Sequence, residues 1–148
     1  MKILGIDYGE KRIGLALSDI SNMVARSLKV LNRETNRNWL GEIKTIVDEN
    51  EIKQIVIGLP KNMNGSIGKK GEEVLAFVKV LEKRVKVPIV TWDERLTTVA
   101  AEKVLRQAEL SRKKRKGILD KLSACIILQN YLDSIGTGQK EKIEESNK

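Results

Sequence analysis

Residues 5–19 read GIDYGEKRIGLALSD, and this stretch decides how the fold begins. Apolar and small residues alternate along it, which predicts one strand at residues 2–8 and a second at residues 12–18. Only residues 9–11 lie between the two strands, so we expect an antiparallel hairpin. Asp7 is the carboxylate inside the first strand. Burying a charge is costly unless it is paired or bound to a metal ion, and Asp7 is therefore a candidate functional residue.

Beyond the hairpin, the pattern of apolar residues predicts further strands and helices. Short apolar runs predict three strands, at residues 24–31, 54–59 and 87–92. Helical stripes predict four helices, at residues 35–49, 71–84, 99–107 and 118–133. Three antiparallel strands followed by alternating helices and strands indicate an α/β fold, with a mixed five-stranded sheet and helices on both faces. Residues 1–134 are expected to form a single domain, and the polar residues 135–148 a disordered tail.

The composition excludes several classes of function. The 148 residues contain no histidine and 1 cysteine, which removes histidine-based nucleophiles, general bases and metal sites as well as an intramolecular disulfide. Aromatic residues make up 3%, too few for a module that stacks single-stranded bases. A net charge of +8 indicates a polyanionic partner. No apolar run approaches the ~20 residues of a membrane span, and the first residues lack the features of a signal peptide, so we expect a cytoplasmic protein.

Acidic residues stand at predicted strand ends and in the last predicted helix: Asp7, the pair Asp93 and Glu94, and Asp120. Sites gather at strand ends in such sheets, and converging carboxylates without histidine are the ligands that Mg²⁺ or Mn²⁺ prefers. Each position also has a purely structural interpretation. Asp7 can begin a turn, and Asp120 can cap its helix. Asp93 or Glu94 can pair with Arg95 or favour the N-terminus of the following helix.

Basic and amide side chains form a second candidate group, because they can donate to the phosphate oxygens of a nucleic acid. The loop GLPKNMNGS supplies Lys61, Asn62 and Asn64, with Ser66. The ends of the first and last strands supply Lys11, Arg12 and Arg95. A basic run supplies Arg112, Lys113, Lys114, Arg115 and Lys116. The alternatives are an ordinary strand-to-helix connection for the loop and a solvated surface for the basic run.

Four motifs occur in order along the chain: GIDYGEKRIGLALSD, GLPKNMNGS, DERLTT and KGILDKLSACIILQNYL. Together they resemble the YqgF/RuvX family, bacterial RNase H-like proteins described as Holliday-junction-resolvase-like and as nucleases of pre-16S ribosomal RNA. The resemblance covers nearly the whole chain before the tail. It implies an RNase H-like sheet of the RuvC-resolvase type. Ser123 and Cys125 stand in a region where the family is usually richer in alanine, a departure that concerns packing more than the carboxylates.

The resemblance also implies roles for the acids and an activity. Asp7, Glu94 and Asp120 correspond to the catalytic carboxylates that hold Mg²⁺ or Mn²⁺, with Asp93 in reserve for Glu94. The implied reaction is metal-dependent hydrolysis of phosphodiester bonds by an endonuclease. Maturation of the 5′ end of pre-16S ribosomal RNA is the favoured role, so the expected partner is a nucleic acid.

Three other functions stay open at this point. A junction-resolving endonuclease would act on branched DNA and would need a homodimer to cut two strands symmetrically. A non-catalytic module would bind structured RNA, and its RNA binding would not depend on Asp7. Actin-like sugar kinases share a first-strand D-x-G hairpin, but they need two such lobes around the nucleotide, and 148 residues supply one.

Overall fold

The computed structural model describes residues 1–97 and 122–136. Within them the strands are β1 (Lys2–Tyr8), β2 (Arg12–Ser18), β3 (Ala25–Asn32), β4 (Ile52–Leu59) and β5 (Ile89–Asp93). The helices are α1 (Trp39–Glu49), α2 (Lys69–Glu82) and helix 122–136. A 3₁₀ turn, Glu94–Thr97, follows β5 directly.

The five strands form one sheet in the order β3-β2-β1-β4-β5. β2 pairs antiparallel with β1 and β3, whereas β4 pairs parallel with β1 and β5. The prediction of a mixed sheet that begins with three antiparallel strands is therefore confirmed. Because β1, β4 and β5 run in the same direction, their carboxyl ends meet at one edge of the sheet. Residues at the ends of these strands are thereby brought close together.

Helices cover both faces of the sheet, as predicted. On one face, α1 and α2 bury apolar residues that include Ile6, Ile13, Ile43, Ile57 and Leu81. On the other face, helix 122–136 lies so close to β1 that a Cβ on Gly5 would be 2.8 Å from the Cβ of Leu128. Full burial of one such aliphatic side chain stabilises a fold by roughly 1.5–3 kcal/mol. The two apolar layers are therefore the main stabilising contribution to this sheet.

Side-chain hydrogen bonds fix helix 122–136 relative to the sheet. The side-chain oxygen of Gln129 accepts a hydrogen bond from the Ala25 amide at 2.9 Å, which ties the helix to β3. Trp92 Nε1 donates to the side-chain oxygen of Asn130 at 2.6 Å, which ties it to β5. Cys125 is buried between these contacts, and its burial raises the pKa of the thiol. Cys125 is thus a core residue.

The start of α1 is the largest difference from the predicted boundaries. The helix begins at Trp39 and not at residue 35. The preceding residues form a turn in which the side-chain oxygen of Asn32 accepts hydrogen bonds from the amides of Glu34 at 2.9 Å and Thr35 at 3.3 Å. A side chain that bonds the local backbone competes with the helix for these amides. The helix therefore begins four residues after the predicted start, at the first residue of its apolar stripe.

The remaining described boundaries are close to the predicted ones. β5 ends at Asp93, so this carboxylate belongs to the strand and Glu94 is the first residue beyond it. Helix 122–136 continues past the predicted end at residue 133. The predicted helix at residues 99–107 lies outside the described residues. Among the helices in the described part of the chain, none combines the length and the apolar character that a membrane crossing requires.

Candidate active site

Asp7 and Glu94 lie at the edge of the sheet where the parallel strands end. Asp7 is the residue before the last of β1, and Glu94 directly follows β5. Both residues line one cavity of about 340 Å³. The strand between theirs is β4, and the two charges act on each other across it. The fold therefore brings together these two of the three carboxylates that the sequence predicts.

A glycine on β4 leaves the space for this approach. Gly58 pairs with Trp92 of β5. A Cβ on Gly58 would lie 2.6 Å from Glu94 Oε1 and 2.5 Å from Ile127 Cδ1, distances at which one of the two side chains would have to move. Gly58 is not among the predicted site residues. A glycine inside an apolar strand often marks the close approach of another group, and this pattern in the sequence could have indicated Gly58.

The surroundings of Glu94 oppose its ionisation. Partial burial and then the neighbouring charge of Asp7 raise the pKa of Glu94 from 4.5 to about 7. Lys70 acts in the opposite direction, and Asp93 adds a weaker increase. A divalent cation between two such carboxylates relieves their repulsion, and oxygen is the ligand atom that Mg²⁺ and Mn²⁺ prefer. The donor chemistry of Asp7 and Glu94 therefore fits the predicted ion.

Asp93, the reserve candidate, has a different environment. Its oxygens accept hydrogen bonds from Arg95 Nε, at 3.1 Å each, and Oδ2 accepts another from Nη2 at 2.7 Å. These hydrogen bonds, helped by the charges of Arg95 and Lys61, lower the pKa of Asp93 despite some desolvation. The ion pair with Arg95 is thus observed for Asp93, whereas Glu94 lines the cavity.

The loop between β4 and α2 is held in shape by its own side chains. Asn62 Nδ2 donates to Ser66 Oγ at 3.0 Å, and the side-chain oxygen of Asn64 accepts from the Ser66 amide at 3.0 Å. Arg95 Nη1 donates to the carbonyl oxygens of Asn62 at 3.4 Å and Met63 at 3.2 Å. Four of the side chains predicted to contact phosphate, Asn62, Asn64, Ser66 and Arg95, therefore also shape this loop.

Basic side chains surround the cavity on two sides. Lys11, on the turn after β1, and Arg12, the first residue of β2, are both exposed. Lys69 and Lys70, at the start of α2, are also exposed and line the cavity itself. These two lysines are not among the predicted site residues, because the predicted helix begins at residue 71 and leaves them in the connecting loop.

The predicted third carboxylate, Asp120, lies outside the described residues. The same holds for the basic run Arg112, Lys113, Lys114, Arg115 and Lys116. Within residues 1–97 and 122–136, no three Asp, Glu or Cys side chains are grouped closely enough to hold a metal ion. Asp120 as a third metal ligand therefore stays a prediction, and so does the contact of the basic run with a nucleic acid.

Comparison with known proteins places these residues in a family. The family model RuvX, described as Holliday junction resolvase, matches residues 1–134. The chain belongs to the RuvX family. A relative from Thermoanaerobacter pseudethanolicus is 50% identical over 135 residues, which cover 90% of this chain and 97% of the relative. Another, from Clostridium beijerinckii, is 52% identical and covers 91% of this chain and 98% of its own length. Both carry the name "Putative pre-16S rRNA nuclease".

Solved structures confirm the fold expected of a RuvX-family chain. Thermus thermophilus RuvC, in a structure with a Holliday junction substrate, superposes with a TM-score of 0.60 and is 15% identical. The match covers 93% of this chain and 96% of that one. A second Thermus thermophilus RuvC structure gives a TM-score of 0.58 at 16% identity. At these identities the likeness concerns the fold, which is the RuvC-like, RNase H-like sheet that the sequence predicts.

Proposed function

We propose that this RuvX-family chain is a metal-dependent endonuclease that hydrolyses phosphodiester bonds and processes the 5′ end of pre-16S ribosomal RNA. One observation carries the proposal: Asp7 and Glu94 line the same cavity and interact at the ends of parallel strands. Such a pair is unfavourable without a cation, and a bound cation makes it suited to phosphodiester chemistry. The name of relatives about 50% identical to this chain supports the choice of substrate.

In this mechanism the carboxylates would hold the metal ion, and the lysines would bind the phosphates of the substrate. Asp7 and Glu94 hold the ion, with Asp120 as the proposed third ligand and Asp93 less suited because Arg95 occupies its oxygens. When bound, Mg²⁺ or Mn²⁺ activates a water molecule for attack on phosphorus and stabilises the leaving oxygen. Gly58, on the strand between the two acids, keeps the space that the Glu94 carboxylate needs.

Phosphates on either side of the cleaved bond need cations to approach this acidic cavity. Lys69 and Lys70 supply these positive charges from the start of α2. Lys11, on the turn after β1, and Arg12, at the start of β2, supply two more. These contacts, together with the basic run from Arg112 to Lys116, would make binding strongly dependent on salt. Lys70 has a second effect, because its charge favours the ionised form of Glu94.

The same proposal covers the organisation of the chain. Residues 1–134 form the proposed nuclease domain, which agrees with the span of the family match, and residues 135–148 the proposed tail. We place the protein in the cytoplasm, where a ribosomal RNA precursor is available in bacteria.

A second candidate function is the resolution of four-way DNA junctions. The family description and the fold likeness to a RuvC bound to a junction favour it. This activity would require two active sites that act on two strands, and hence a homodimer. The RNA and DNA substrates are both polyanions, so the basic surface suits either one.

The test compares the wild type with Asp7→Asn on a 5′-extended 16S precursor RNA and on a four-way DNA junction, with Mg²⁺, with Mn²⁺ and with EDTA. Asp48→Asn is the matched control, because Asp48 is an exposed aspartate on α1 outside the cavity. We expect the wild type and the control to cut the RNA only with a divalent ion, and Asp7→Asn not to cut. Metal-dependent cutting of the junction alone would support the second function. Equal RNA binding by all three proteins without cutting would leave a non-catalytic RNA-binding module.

A further inference from the structure

Arg33 lies behind the candidate active site, where the chain leaves β3. Its guanidinium carbon is 4.8 Å from the centroid of the Tyr8 ring and 5.0 Å from that of the Trp39 ring. Tyr8 in turn stacks on Phe77, with ring centroids 4.2 Å apart. The whole chain has 2 Trp, 2 Tyr and 1 Phe, and three of these rings stand together beneath this arginine. Three of the five aromatic rings of this protein are thus clustered around Tyr8, the residue that follows Asp7.

The same guanidinium holds the turn between β1 and β2. Arg33 Nη1 donates to the carbonyl oxygens of Gly9 and Glu10, each at 3.0 Å. The backbone amide of Arg33 donates to the carbonyl of Lys11 at 2.9 Å. All three residues of the turn are therefore bonded to Arg33. The turn follows the carboxylate of Asp7 by two residues and carries a basic side chain, Lys11, that is proposed to bind phosphate.

Neither an apolar side chain nor lysine could make all the contacts of Arg33. Its Nε atom is buried, and within the described residues it has no hydrogen-bond partner. A buried donor without a partner is costly, so an apolar side chain would fill this position at less cost. An apolar side chain would not hold two carbonyl oxygens, however, and lysine lacks the flat surface that lies over two rings. The arrangement is suited to fixing the turn more than to filling space.

We propose that Arg33 is a positioning residue of the active site: it fixes the turn Gly9–Lys11, and through the turn it sets the placement of Asp7 and Lys11 toward metal and substrate. The inference rests on the proposed function for its effect on cleavage. Its effects on the turn and on metal binding do not depend on which nucleic acid is cut, or on whether either is cut. Displacement of a catalytic group by about 1 Å can cost on the order of a hundredfold in rate, so the loss of this support is measurable.

The experiment uses Arg33→Lys, which keeps the charge, with Arg26→Lys as the matched control. Arg26 is exposed at the other end of β3 and borders a different cavity, near Ile20. Three quantities are measured at a temperature where circular dichroism shows both variants to be folded. They are amide hydrogen exchange, Mn²⁺ binding by calorimetry without nucleic acid, and kcat and KM on the precursor RNA.

For Arg33→Lys we expect faster exchange of the Gly9 amide, which donates to the Arg12 carbonyl at 2.9 Å. The Asn22 amide, in the turn after β2, should be unchanged. Mn²⁺ should bind about tenfold more weakly, and kcat should fall by about tenfold or more. KM should rise only slightly, because Lys11 is displaced but the charge near the substrate is kept. A residue that only stabilised the fold would leave Mn²⁺ affinity and kcat unchanged once the protein is folded.

Unchanged Gly9 exchange, Mn²⁺ affinity and kcat in folded Arg33→Lys would overturn the inference. If the wild type cuts neither nucleic acid, the proposed function is wrong, but the role of Arg33 can still be tested by Mn²⁺ affinity. Weaker Mn²⁺ binding by Arg33→Lys would support a positioning role, and equal binding would reject it. If Arg33→Lys does not fold, Trp39→Phe takes its place, because it reduces the ring surface that holds the guanidinium in position for the two carbonyl oxygens. We then expect the same changes to a smaller degree, and unchanged Gly9 exchange, Mn²⁺ affinity and kcat would overturn the inference.

Discussion

Glutamine in place of Glu94 removes a charge that the fold opposes, so we expect Glu94→Gln to be more stable than the wild type at pH 8 without divalent ions. Burial and the Asp7 carboxylate raise the pKa of Glu94 from 4.5 to about 7. The folded protein therefore holds this proton more tightly than the unfolded chain does. As a result, the free energy of unfolding of the wild type decreases as the pH rises from about 4.5 through about 7. Glutamine has no such proton to lose.

The size of the effect follows from the same values. At about 1.4 kcal/mol per pKa unit, a rise from 4.5 to about 7 sets an upper bound on the order of 3 kcal/mol, and solvent screening of the exposed part of the side chain reduces it to roughly 1–2 kcal/mol. A domain of this size changes its melting temperature by roughly 2–4 °C per kcal/mol. We therefore expect the variant to melt roughly 2–8 °C above the wild type at pH 8, and the difference to disappear below pH 4.5, where Glu94 is neutral in both the folded and the unfolded protein.

Thermal melts in EDTA across this pH range measure the difference. Glu82→Gln is the matched control, because Glu82 is an exposed glutamate at the end of α2. Added Mn²⁺ should reduce the difference, since the wild type gains a bound ion that the variant binds more weakly. Parallel pH curves for the wild type and Glu94→Gln would refute the argument that burial and Asp7 oppose the ionisation of Glu94.

Three further changes test the neighbours of this pair. Gly58→Ala should lower the cleavage rate and destabilise the fold by about 1–3 kcal/mol, because its Cβ would meet Glu94 Oε1 and Ile127 Cδ1; wild-type activity and melting temperature would contradict this. Lys70→Gln should weaken RNA binding and reduce the salt slope by about 1 in filter-binding assays, whereas Lys79→Gln, at the other end of α2, should change neither. Arg95→Lys should bring the pKa of Asp93 back up toward its ordinary value, since the hydrogen bonds from Arg95 are the main cause that lowers it. A carboxyl titration of Asp93 by NMR that is identical in both proteins would show that other groups lower this pKa.

The sequence predicts the sheet well because the relevant signals are local. Alternation along residues 2–18 is enough to define β1, the turn and β2, and the structure has these strands at the predicted positions. The start of α1 was predicted too early because the hydrogen bonds of Asn32 with its neighbours decide it, and a helical stripe does not report them. Sequence periodicity describes which face is buried, not where backbone amides find their partners.

The choice between the two adjacent acids could not be made from residue types alone. Asp93 and Glu94 are both carboxylates at the end of one strand, and the difference between them depends on two residues elsewhere. Arg95 folds back onto Asp93, and the glycine at position 58 leaves space for Glu94. Lys70 reaches the cavity because α2 begins at Lys69, which is earlier than the periodicity indicates. Tertiary contacts decide which of the two acids faces the cavity and which lysines line it, and local patterns in a single sequence do not show those contacts.

The strand order also has a consequence for how the chain folds. Asp7 belongs to a hairpin whose contacts are local, whereas Glu94 arrives with β5, whose parallel pairing with β4 requires the crossover through α2. Local pairings form early and crossovers late, so the two carboxylates are expected to meet only when β5 docks on the sheet. Docking then brings like charges together, and we expect Mn²⁺ or mild acid to speed refolding by favouring this last step. The proposed ion would in this way also help to complete the sheet that holds it.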